Sequence, residues 1–372
     1  MTSWTRRALA CALALALAAP LAMLAAPPSA EANGDDGPRA QPRAAAALTF
    51  MTRNIYLGGD ISKPIGKTGD EFVQANSELW DTVRETNFPA RARLLAREIR
   101  RTRPDLIGLQ EVALWRRSPQ GTAGSDAPAR RVVFDFLRIL RRTLARQGIR
   151  YRIGSVQREA DVEGPTRDGY DVRLTMRDAV LVKQRRGLRI RARSGDNFTA
   201  RFAVPTPAGV YQVLRGWAAV DMSFRGRRFR FVNTHLEAFL GSVRQAQAAE
   251  LIAPGGPANH SQPVVLVGDF NSDPEGRDEG DPIPYRTLAD FGFRDTWSQA
   301  NPGDPGFSCC MNQENVKDPP PAPFDHRIDH IFAKPRLRVL RTAIVGNAPR
   351  NRTRSGLWPS DHGGHVARLR LR

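Results

Sequence analysis

The chain has little cysteine, little lysine and a single long apolar run. Three cysteines in 372 residues are too few for a disulfide-stapled scaffold, and no C-x-x-C pair offers a zinc knuckle. Cys11 lies inside the apolar run, which leaves Cys309 and Cys310, adjacent to one another. Neighbouring Cα atoms sit about 3.8 Å apart across a trans peptide, below the usual disulfide range. From sequence, a vicinal disulfide, a zinc site shared with His326 and His330, and two loop thiols all stay open. Lysines number five, so arginine carries almost all of the formal charge of +18. That charge permits a polyanionic partner, nucleic acid or anionic lipid. It does not select one, because an arginine- and alanine-rich composition is also what a GC-rich genome encodes. No internal repeat is present, which excludes a solenoid.

The one apolar run, Ala8 to Ala26, follows Arg6-Arg7 and precedes Ala30-Glu31-Ala32. A positive start, an apolar middle and a small-residue exit make a secretory signal peptide over residues 1–32, so a secreted, extracellular protein is expected. Its removal takes away two arginines and one glutamate, lowering +18 to +17. No second hydrophobic stretch follows, so no stable membrane anchor is expected after cleavage, and a monomer is expected. Residues 33–46 are rich in Gly, Pro and charge and read as a flexible linker. Residues 47–372 form one domain, large for a single core but suited to a two-sheet sandwich.

Within that domain, Pro263-Val264-Val265-Leu266-Val267 carries no polar side chain and reads as a strand buried on both faces. It ends at Gly268, read as a sharp turn, which delivers Asp269 and Asn271 at the strand tip. Other strands are expected over Leu48–Ile55, Leu106–Leu109, Tyr151–Val156, Ala179–Val182, Trp217–Phe224, Phe229–Val232, Arg327–Phe332, Val339–Val345 and Val366–Leu371. Helices are expected over Glu71–Thr86, Pro89–Arg101, Val132–Gln147, Ser242–Ile252 (with Ser242 as N-cap) and Ile283–Gly292. Hairpins such as that at Arg225-Gly226-Arg227 argue for a mixed α/β sandwich rather than a doubly wound parallel sheet.

Polar residues recur at the ends of these apolar strands: Asn54, Glu111, Asn233 with His235, Asp269 with Asn271, Asp329 with His330, and Asp361 with His362. Soluble domains bury such groups reluctantly, and several gathering on one rim is the mark of a site. In order, Gln110-Glu111, Asn233-Thr234-His235-Leu236, Gly268-Asp269-Phe270-Asn271, Arg327-Ile328-Asp329-His330-Ile331 and Ser360-Asp361-His362 resemble the motifs of the endonuclease/exonuclease/phosphatase superfamily. The resemblance spans residues 48–372. It implies a DNase I-like four-layer sandwich, two mixed sheets packed face to face with helices outside, and hydrolysis of phosphodiesters with Mg2+ (Mn2+ or Ca2+ as alternatives).

By the same resemblance Glu111, Asn54 and Asp361 would hold the metal, and Asp269 would position or deprotonate water. Asn271 and His235 would bind the phosphate, and His362 paired with Asp329 would act as an imidazolium. His326, His330 and His365 have no matching role. Three positions depart from the usual pattern: Arg53 beside Asn54, Asp178-Ala179 in the middle segment, and Gly364 where the DNA-repair members usually carry Pro. The expected substrate is a phosphodiester, nucleic acid favoured over phospholipid, with a sphingomyelinase-like phospholipase C or a phosphomonoesterase as alternatives and a non-catalytic binding module as the last.

Overall fold

The alternation of apolar residues along each strand decides which layer each side chain joins. In β1 (Ala47–Asn54), Leu48 and Phe50 point one way and Met51 the other. In β12 (Val264–Asp269), Val265 and Val267 face the same core as Phe50, while Val264 and Leu266 face a different one. A strand with apolar residues on both sides needs cover on both sides, and the computed structural model provides it. It describes residues 46–124, 128–206, 209–277, 281–311 and 314–371. The expected leader (1–32) and nearly all of the linker (33–46) lie outside the described residues.

In chain order, β1 is followed by α1 (Gly69–Glu85), α2 (Phe88–Thr102), β2 (Leu106–Gln110), β3 (Leu114–Pro119), β4 (Arg131–Asp135), α3 (Phe136–Arg146), β5 (Tyr151–Pro165) and β6 (Tyr170–Lys183). Then come β7 (Leu188–Asn197), β8 (Phe202–Thr206), β9 (Gly209–Val213), β10 (Gly216–Phe224), β11 (Arg227–His235), α4 (Gly241–Ile252) and β12. The chain closes with α5 (Ile283–Asp290), β13 (Arg294–Asp295), α6 (Thr296–Ala300), β14 (Asp329–Lys334), β15 (Arg338–Val345), a short 3-10 turn (Pro349–Asn351) and β16 (Gly364–Arg370). None of the described helices is long and apolar enough to cross a membrane.

One sheet runs β15-β16-β1-β2-β6-β3-β4 with β5 alongside β6; the other runs β13-β14-β12-β11-β10-β7; β8 and β9 pair as a separate ribbon. Pairing is parallel between β1 and β2 and between β11 and β12, and antiparallel elsewhere. Helices α1–α3 cover the outer face of the first sheet, α4 and α5 that of the second, and a third apolar layer fills the space between the sheets. This is the expected four-layer α/β sandwich.

Two local expectations are corrected. Val132–Asp135 is not helical: β-branched and aromatic residues suit a pleated edge, and they pair with β3. Asp135 then caps α3, accepting from the Arg138 amide at 3.2 Å, so the helix begins four residues later than its periodicity suggests. Ser242 is not an N-cap; α4 starts at Gly241, with Leu240 before it and no side-chain cap.

Candidate active site

The carboxyl ends of β1, β2, β11 and β12 meet the segments leading into β14 and β16, because both parallel pairs point the same residues toward one rim. Gly108 and Gly268 allow this close approach. A Cβ at Gly108 would meet Asn233 Oδ1 at 2.2 Å, and one at Gly268 would meet the Thr234 carbonyl at 2.2 Å. Gly268 is therefore not the turn expected from sequence; it lies within β12 and lets β11 press against it. The turn comes at Asn271, with φ 46°. Tyr56 and Glu111 also have positive φ, 55° and 58°. All three line the same pocket, so left-handed backbone, costly for such residues, concentrates where the polar groups gather.

The pocket has a volume of about 110 Å³ and is lined by Glu111, His235, Asp269, Asn271, Asp361 and His362, with Tyr56, Phe239 and the Cys309-Cys310 pair among its walls. Asn54 is fully buried behind it. Its amide donates to Glu111 Oε1 at 2.9 Å and to Asp269 Oδ2 at 3.0 Å, while its own carbonyl accepts the Tyr56 amide at 2.9 Å. Asn54 thus presents hydrogens to the site, and the neutral ligand oxygen expected of it is turned away. Glu111 Oε2 also accepts the Leu57 amide at 2.7 Å.

Asp269 sits at the centre. Its Oδ1 accepts the Asn271 amide at 3.0 Å, and its Oδ2 faces two imidazoles, His235 Nε2 at 3.6 Å and His362 Nε2 at 3.7 Å. Burial, with Asp329 nearby, lifts the Asp269 carboxyl to about 6. Asn271 spends one amide hydrogen on the Leu236 carbonyl at 3.0 Å.

The two histidines have opposite partners. His362 Nδ1 lies 2.9 Å from Asp329 Oδ2, which also accepts the Ser308 hydroxyl at 2.7 Å. Burial alone would lower the His362 pKa, but Asp329, Asp361 and Asp269 outweigh it and raise it well above the ordinary value. His362 is an imidazolium at neutral pH. His235 Nδ1 lies 3.0 Å from Arg215 Nη1. A guanidinium only donates, so this nitrogen must accept, and the ring proton sits on Nε2, aimed at Asp269. Burial, then Arg215, then His362 push the His235 pKa well below the ordinary value. His235 is a neutral hydrogen-bond donor.

Arg215 was missed from sequence, as was its setting. It is buried, its Nε 3.7 Å from Glu237 Oε2, with Glu159 and Asp178 close enough to act on it. Burial lifts Glu159 to about 8 and Asp178 well above the ordinary range. Asp178, which departs from the resemblance, thus belongs to a layer beneath the pocket. The other two departures explain each other. Arg53 is fully buried, pairs with Glu98 at 3.2 Å, and donates to the backbone carbonyls of Asn54 and His362. A Cβ at Gly364 would meet Arg53 Cδ at 2.8 Å, so glycine there makes room for the arginine that ties two motifs together.

The Cys309 and Cys310 sulfurs are bonded to each other. A zinc site with His326 and His330 does not form: His330 accepts from Arg327 and bonds the Ser272 carbonyl at 2.9 Å. Among the described residues, the grouping of three close His, Cys, Asp or Glu ligand atoms is Asp269, Asp329 and His362. Its closeness reflects hydrogen bonding around an imidazolium, which repels a cation. Glu111 and Asp361 both line the pocket. Burial, then the repulsion of Asp361, lift Glu111 to about 7, and hard oxygen donors such as these suit Mg2+.

A sequence profile of the Endonuclease/Exonuclease/phosphatase family matches residues 73–362. No curated protein matches the sequence. Among solved structures, a family protein from Bacteroides vulgatus is similar at 18% identity and TM-score 0.55, covering 88% of this chain and 100% of that one. Family proteins from Bacteroides thetaiotaomicron (17%, TM-score 0.52, covering 88% and 99%) and Leptotrichia buccalis (17%, 0.51, 87% and 100%) share the fold. With five motifs in order along the chain, most of their polar residues at one pocket, and the profile spanning most of its length, the chain belongs to the endonuclease/exonuclease/phosphatase family and is a phosphoric ester hydrolase.

Proposed function

We propose that the protein is a secreted, divalent-metal-dependent phosphodiesterase whose substrate is nucleic acid. The observation that carries the chemistry is Asp269 held between an imidazolium and a neutral imidazole. Above pH about 6 its carboxylate accepts a proton from water, and a base that titrates near the working pH is efficient. His362 offers positive charge and a proton to the phosphoryl oxygens or the leaving oxygen as charge builds there. His235 Nε2 and the second amide hydrogen of Asn271 bind the phosphate without adding charge. Glu111 and Asp361 would hold Mg2+, Mn2+ or Ca2+, which supplies Lewis-acid polarisation when bound. Arg53, Asn54 and Arg215 keep the reacting groups in place. Residues 1–32 support export.

The motif set together with net positive charge, which is permissive of nucleic acid, is the support for this substrate. A phospholipase C-like reading is favoured by one observation: Phe239 and Leu240, beside the pocket, are 45% and 41% exposed, as an apolar contact with lipid requires. The test is hydrolysis of plasmid DNA, RNA, sphingomyelin and bis-p-nitrophenyl phosphate with Mg2+ or EDTA. Mg2+-dependent cleavage of polynucleotide is expected. Cleavage of sphingomyelin but not of DNA or RNA would replace the nuclease reading with the lipid one.

A further inference from the structure

Apart from the catalytic pocket, a large concavity lies on the outer side of the first sheet. It runs along the C-terminal half of α2, past the α3–β5 connection and the end of β6, to the 3-10 turn at Pro349–Asn351, with a volume of about 1150 Å³. Its cations come from every wall: Arg97, Arg100, Arg101 and Arg103 from α2 and its end, Arg150 and Lys183 from the strand starts and ends, and Arg350 from the turn. Seven of its thirteen lining residues are therefore cationic, against 56 of 372 in the whole chain. The arginine-rich composition alone would place about two there. The single lining carboxylate, Glu98, is buried and committed to Arg53 at 3.2 Å.

The catalytic pocket has the reverse balance: Asp60, Glu111, Asp269 and Asp361 line it, with Arg215 as its one arginine. The cationic surface has been gathered away from the acids that would hold a metal. From this separation we infer that the α2 groove is a nucleic-acid backbone-binding site, distinct from the pocket where phosphate esters are cleaved.

The chemistry of the walls selects the occupant. Six of the seven cations are arginines, whose planar forks grip phosphate oxygens in pairs. Among the described residues no aromatic lines the groove, so these walls offer no platform for stacking bases. The contact is with the phosphates and is indifferent to sequence. Among the described lining residues the one aliphatic side chain of any size is the half-buried Ile149, too little to insert into a bilayer, which sets the groove apart from a lipid-docking face.

Binding at the groove is independent of turnover, so it is read in EDTA by fluorescence anisotropy of a labelled DNA duplex of about 20 bp, across salt. The variant Arg100→Glu/Arg150→Glu/Arg350→Glu alters exposed side chains on three walls. Its affinity for DNA should fall at least about tenfold near 0.1 M salt, and the log–log salt slope should shrink by about 3. Hydrolysis of bis-p-nitrophenyl phosphate with Mg2+ should match wild type. The milder Arg100→Gln/Arg150→Gln/Arg350→Gln variant should move both quantities the same way, and it provides the reading if the thermal midpoint shows the charge-reversed chain unfolded. DNA affinity and slope equal to wild type in the folded variant would overturn the inference. So would a wild-type chain that binds vesicles of anionic phospholipid as tightly as DNA, with both lost together in the variant.

Discussion

His362 and His235 approach Asp269 Oδ2 at nearly the same distance, 3.7 Å and 3.6 Å, yet one is charged and the other neutral. The difference lies one residue further out. A carboxylate behind His362 stabilises the imidazolium, and a guanidinium behind His235 forbids it. Matching side chains in matching positions thus acquire different chemistry from the partners behind them. The two supporting groups also differ in their own surroundings. Asp329 takes a hydroxyl from Ser308, whereas Arg215 has the Glu237 carboxyl group 3.7 Å from its Nε, with Glu159 and Asp178 near it.

Removing the group that both histidines face should do the most damage. Asp269→Asn keeps the shape and loses the base, and kcat on bis-p-nitrophenyl phosphate should fall about 10⁴-fold. With Mg2+ saturating at every pH, so that Glu111 stays ionised, the acid limb of the wild-type kcat/KM profile near pH 6 should vanish with it. A limb that persists in the variant would place the base elsewhere.

The comparison itself is sharpened by glutamine, a neutral donor. His362→Gln loses the positive charge, and kcat should fall about 10³-fold. His235→Gln keeps a neutral N–H, and kcat should fall only about tenfold. Equal losses in the two variants would erase the distinction.

The smallest effect concerns the metal. Glu111, lifted to about 7 by burial and by Asp361, is largely protonated at pH 6 and ionised at pH 8. A cation needs the ionised form, so Mg2+ should bind about tenfold more tightly at pH 8 than at pH 6, releasing a proton as it does. Titration calorimetry at both values checks this, and Glu111→Gln should flatten the dependence.

The comparison also shows what sequence could reveal. Asp269, Asn271 and Glu111 stood out because strongly apolar strands such as Val264–Val267 end in polar residues, and the Asp361-His362 pair, which precedes β16, stood out through its Ser360-Asp361-His362 motif. Arg215 gave no such signal. Its partner is 20 residues away on a neighbouring strand, and in a chain this rich in arginine one more carries no information. The same composition hid parts of the fold. Strand β7, which alternates Arg with Leu188, Ile190 and Ala192, and the outer halves of β5 and β6 were not among the expected strands. The central strands were legible because both faces are covered. Gly268 and Gly364 were visible as glycines, but their reason, a neighbouring strand at one and Arg53 at the other, exists only in three dimensions.

The most direct test is the protonation of the two rings, read by ¹⁵N–¹H correlation of histidine-labelled protein near pH 7.5, with His235→Gln and His362→Gln to assign the signals. The structure predicts two protonated nitrogens on His362 and a proton on Nε2 alone of His235. A neutral His362, or a His235 that carries its proton on Nδ1 beside Arg215, would contradict it.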